Sequence, residues 1–130
     1  MAHDPLHDIK NYSPAMTISN MLKFFERKGI AITRPMVQNY IRQGLLPPPK
    51  DKRFYTHRHI ALLCIIERLK TVFDMPAIQQ ALSPLTDNEG LPLDVYFELQ
   101  KKTDELSSAF LLSGDSVVNM LFVTEVKKSL

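Results

Sequence analysis

A single cysteine, Cys64, excludes an internal disulfide framework, so a reducing compartment is the expected setting. No apolar run approaches the roughly 20 residues that a helical membrane span requires. The first ten residues, MAHDPLHDIK, lack the basic start and apolar stretch of a secretion signal. A cytoplasmic, non-membrane protein is therefore expected. The sequence also lacks a glycine-rich phosphate loop, a zinc motif and a nucleophile with a recognisable base partner, so no enzyme activity and no cofactor is expected. Composition is ordinary: 45% apolar and 23% charged residues suit a globular chain, and 130 residues suit one compact domain with an appendage.

The net charge of +2 hides an uneven division. Residues 1–82 carry +6 and residues 83–130 carry −4. Within 33–58 stand six basic residues, Arg34, Arg42, Lys50, Lys52, Arg53 and Arg58, and one acid, Asp51. Such a cluster suits a polyanion, although a solvated charged face produces the same composition.

Caps and apolar periodicity predict a nearly all-helical chain. Residues 1–16 are polar and proline-bearing and read as a flexible arm. Thr17 opens a helix whose Ile18, Met21, Leu22 and Phe25 share one face and which ends near Gly29. Thr33 opens a second, with Pro35 in its first turn, ending near Gly44. Residues 45–55 read as a turn and a short extended piece. Thr56 caps a third helix through about Lys70, whose run IALLCII is apolar almost all round and so central. A short fourth helix fits 75–82, SPLTDNEGLP at 83–92 reads as a linker, and further helical patterns cover 93–112 and 115–128.

The stretch VQNYIRQGLLPPPK, 37–50, stops a helix abruptly. Val37, Tyr40 and Ile41 share an inward side, leaving Gln38, Asn39 and Arg42 outside, where amides match adenine and guanidinium matches guanine or phosphate. Gly44 supplies the left-handed stop, and Pro47–Pro49 force a stiff extended path that delivers Lys50, Lys52 and Arg53 beside the helix. A helix pair followed by a basic extended piece is the plan of a winged helix-turn-helix.

At these residues the chain resembles the MerR family of bacterial transcription regulators, closest to a MerR-like bacterial domain family without assigned biology. VQNYIRQGLLPPPK is similar to that family's recognition helix and exit, RFYT at 53–56 to its wing signature, and HIALLCIIERLKTVFDMPAIQQAL to the two helices completing its DNA-binding domain. The resemblance covers about 17–82. It implies a mainly α fold: a winged helix-turn-helix with a short two-stranded wing, followed at 93–130 by a helical dimerisation segment. It implies DNA contacts from Thr33, Arg34, Gln38, Asn39, Tyr40 and Arg42 on the recognition helix, Tyr40 having a possible core role as well. It implies further contacts from Lys50, Lys52, Arg53, Tyr55 and Arg58 around the wing, with Tyr55 as its aromatic anchor. The family usually has Arg where this chain has Gln38 and Tyr where it has Asn39, so base preference does not transfer.

Tyr96, Leu99, Thr103, Leu106 and Phe110 recur at spacings of 3 and 4, a two-heptad seam. It suits a homodimer, or packing within the chain on the helix at 115–128; both readings stand. His57, His59 and Cys64 have metal-ligand chemistry, but i, i+2 spacing separates the histidines on a helix, and no metal is expected. The expected function is sequence-specific binding of double-stranded DNA by a homodimeric transcriptional regulator, with no small-molecule effector. The alternatives are a protein-interaction adaptor whose winged helix no longer contacts DNA and an excisionase-like architectural DNA binder.

Overall fold

A computed structural model describes residues 9–70, 74–86 and 94–102. A 3-10 turn, Ile9–Asn11, leads to strand β1, Ala15–Met16, and helix α1, Ile18–Arg27. Helix α2, Arg34–Arg42, strand β2, Tyr55–Thr56, and helices α3, His57–Leu69, and α4, Met75–Thr86, follow in order. Residues 94–102 are also helical. The protein is thus mainly helical with a two-stranded antiparallel sheet in which Ala15 faces Thr56 and Met16 faces Tyr55. Among the described residues no helix is long and apolar enough to cross a membrane.

Both helices of the first pair start and stop for visible reasons. Thr17 accepts a hydrogen bond from the Asn20 amide and Thr33 one from the Met36 amide, each satisfying an N–H that a first turn leaves open. Each then ends in a paired closure around a left-handed glycine. Gly29 N bonds Glu26 O while Ile30 N bonds Phe25 O; Gly44 N bonds Ile41 O while Leu45 N bonds Tyr40 O. Leu45 and Leu46 turn inward behind the second closure and are buried.

The core is built on α3. Every side chain from His59 to Ile66 is buried, Cys64 among them as a small apolar group. Met21, Phe24 and Phe25 of α1, Val37 and Tyr40 of α2, and Ile78 and Leu82 of α4 belong to the same cluster, as do Tyr96 and Leu99.

Three segments differ from the sequence expectation. Residues 9–16 are an integral part of the fold: Ile9 and Met16 are buried, and the Tyr12 ring meets Phe24 edge-on at 4.9 Å. A few apolar side chains fix the segment despite its polar composition. Helix α4 continues over SPLT to Thr86, past the expected end at residue 82, so the expected linker begins as helix. Finally, the extended piece after α2 forms no two-stranded sheet of its own. It closes as a single bridge, Lys50 with Phe54, and β2 pairs instead with β1. The three prolines before Lys50 have no N–H to donate, so a hairpin ladder cannot grow past that bridge.

Candidate nucleic-acid interface

Helix α2 presents Arg34, Gln38 and Arg42 to solvent, with its C-cap Gln43 also exposed and Asn39 half-buried beside them. The Gln43 side-chain amide reaches the Asn39 side-chain oxygen Oδ1 at 3.4 Å, a long contact that water can displace. Thr33 is exposed, but its hydroxyl oxygen is engaged in the helix cap.

The basic loop is a tight turn. Lys50 and Phe54 exchange backbone hydrogen bonds at 2.8 and 2.9 Å, and Arg53 N bonds Lys50 O at 3.1 Å. Asp51 and Lys52 at its apex have φ of 53° and 65°, the positive pair that a type I′ turn needs. Holding a lysine there costs about 1–2 kcal/mol, so the turn keeps its shape because both flanks are tied. Lys50, Asp51, Lys52 and Arg53 are all exposed, and Arg53 rests its guanidinium 5.0 Å from the centre of the Phe54 ring.

Tyr55 stands at the root of this turn, buried, with its ring edge-on to His59 at 5.1 Å. Burial raises its phenol pKa, and the Arg34 charge pulls the other way. Arg34, at the start of α2, and Lys50, Lys52 and Arg53 of the turn are all exposed.

Not every residue of the expected contact set faces this surface. Tyr40 is a core residue: it is 4% exposed and its hydroxyl donates to Glu67 at 2.9 Å. The other Glu67 oxygen meets the Lys70 ammonium at 2.9 Å. Burial, and then Glu67, pushes the Tyr40 pKa up. Tyr40 thus bolts α2 to α3 and leaves the candidate contact set. Tyr40→Phe should cost about 1 kcal/mol in urea unfolding and leave any nucleic-acid affinity unchanged. Arg58, half-buried on α3, holds its guanidinium 5.2 Å from the Tyr96 ring centre, an attachment to the helix at 94–102. Tyr96 and Leu99 are 0% and 1% exposed within one chain, and Thr103, Leu106 and Phe110 lie outside the described residues.

Sequence reading weighed His59 only as a metal-ligand type and missed its structural role. Its Nδ1 lies 3.0 Å from the Thr56 amide nitrogen, and its Nε2 lies 3.1 and 3.2 Å from the carbonyl oxygens of Pro47 and Pro48. A backbone N–H can only donate, so Nδ1 accepts and Nε2 carries the proton and donates to the prolines. The available signal was the spacing T-x-x-H, a capping box with histidine in place of Glu or Gln. Burial lowers the pKa of the ring. His57, two residues earlier, lies with Nε2 3.2 Å from Ser13 O and ties the N-terminal segment to α3. An open cleft of about 570 Å³ is lined by the proline run, Lys50 and this first turn of α3.

A family model described as "Domain of unknown function (DUF1836)" matches residues 10–98, more than half of the chain. The chain belongs to the DUF1836 family. The DUF1836 match begins within the N-terminal segment that packs on α1 and ends just past Tyr96, so it spans nearly all of the observed core cluster. No curated protein and no solved structure matches the chain.

Proposed function

We propose that this protein is a sequence-specific regulator that binds double-stranded DNA with a winged helix-turn-helix, in which α2 is the recognition helix and the Lys50–Phe54 turn is the wing. The observation carrying this reading is that Arg34, Gln38 and Arg42 share one exposed face of α2, and that the turn which follows it exposes Lys50, Lys52 and Arg53, with Asp51 the one acid in that turn. Gln38 can address base edges, while the turn cations can neutralise phosphates. The protein acts as a homodimer placing two such helices in successive major grooves. Because Tyr96 and Leu99 are taken up by the chain's own core, the dimer contact falls to Thr103, Leu106, Phe110 or residues beyond them.

The test is a division of labour. Gln38→Ala should relax preference at one base-pair position per half-site, by about 1–3 kcal/mol of discrimination, and leave the salt dependence nearly unchanged. Arg53→Ala should weaken specific and scrambled duplexes alike and reduce the salt slope by about one per lost phosphate contact in each subunit. Equal losses on both duplexes for both variants would favour an architectural binder that does not read bases.

A further inference from the structure

His59 is a buried side chain that joins the exit of α2 to the start of α3. It caps α3 through Nδ1, clamps two carbonyls of the proline run through Nε2, and supports Tyr55 with its ring. The Thr56 hydroxyl, 3.1 Å from Nδ1, can donate to the same lone pair. Two residues after the clamped carbonyls comes Lys50, the first residue of the basic turn; two residues before Thr56 comes Phe54, the last. Both legs of the turn are therefore pinned to a single ring.

We infer that His59 is the positioning residue of the basic turn: in its neutral form, protonated at Nε2, it fixes where Lys50, Lys52 and Arg53 stand relative to α3. Its consequence for DNA affinity rests on the proposed function, but the positioning itself does not. A glutamine at this position could keep the cap, as glutamine does in ordinary capping boxes, without holding the proline carbonyls in the same way. Histidine does both, and it does so only while uncharged, since a proton on Nδ1 confronts the Thr56 N–H.

The surroundings oppose that proton. From α3 come the Arg58 and His57 side chains, from β2 the Tyr55 phenol, and from the turn Lys50, while no carboxylate lines the cleft that the ring borders. With the ring's pKa held below the ordinary 6.5, the unfolded chain takes up the proton first as pH falls. The contribution of His59 is thus fully present above about pH 6.5, is lost progressively below it, and levels off once the folded ring is protonated.

Amide hydrogen exchange on the intact chain, expressed as protection factors from pH 7.5 to 5, tests the inference. In the wild type, protection at Arg53, Phe54 and Thr56 should fall together as pH drops below the ordinary histidine range. In His59→Gln, Thr56 should stay protected, the Arg53 and Phe54 amides should lose about tenfold in protection at neutral pH, and the acid response should vanish. His57→Gln should keep the wild-type acid response. Turn amides in His59→Gln that match the wild type at every pH, or an acid response that survives in that variant, would overturn the inference. Parallel titrations with a duplex separate the two readings: changed turn protection without DNA binding by the wild type removes the DNA proposal and leaves His59 as the positioning residue.

Discussion

Leu99→Asp should abolish the native fold, whereas on the proposed dimer contact Leu106→Asp should leave the domain folded and shift the protein to monomer. Leu99 is 1% exposed inside the single chain, in the cluster that contains α3 and Tyr96. Removing a buried leucine side chain costs about 2–5 kcal/mol before any charge is considered. An unpaired carboxylate in its place adds several more, against a total stability of about 5–15 kcal/mol for an ordinary domain. Circular dichroism should show loss of cooperative melting for Leu99→Asp, and light scattering should show the change of mass for Leu106→Asp. A folded, monomeric Leu99→Asp would place the seam at Tyr96 and Leu99 and contradict their role in the core.

That contrast also marks what a heptad pattern can convey. The spacing of Tyr96, Leu99, Thr103, Leu106 and Phe110 identifies an apolar side but not what covers it. For Tyr96 and Leu99 the cover is the chain's own core, and Arg58 reaches across to the same ring. Tyr40 carried two expectations, an inward place on the wheel and a DNA contact implied by the resemblance; its hydroxyl bonds Glu67, 27 residues ahead, which no local pattern encodes.

The parts legible in advance were those fixed by neighbours in sequence. Thr17, Thr33 and Asp74 accept from amides three residues on, and Gly29 and Gly44 close helices with local bonds, so helix starts and stops could be read directly. The run from Ile60 to Ile66 announced a central helix because no side of it was polar. Long-range pairings were not legible. Nothing in SPAMT foretells that Ala15–Met16 will line up with Tyr55–Thr56, and a window rich in turn residues hid the last residues of α4. The exposed cations were visible as a cluster, but the positive-φ turn that carries three of them depended on the fold.

The central claim, that the face formed by α2 and the basic turn meets DNA, is tested most directly by the salt dependence of duplex binding. Two copies contributing Arg34, Arg42, Lys50, Lys52 and Arg53, all exposed, could neutralise about 6–10 phosphates. Each neutralised phosphate releases condensed counterions, so the logarithm of affinity should fall linearly with the logarithm of salt concentration. Affinity for a random-sequence duplex should drop on the order of a thousandfold or more between about 50 and 200 mM salt. Replacing Lys50, Lys52 and Arg53 together by alanine should flatten the slope by about one per lost contact in each subunit. The account predicts a steep slope for the wild-type protein that flattens in the triple variant. A flat response, or no complex with any duplex at the lowest salt, would contradict it and leave this face to a protein partner.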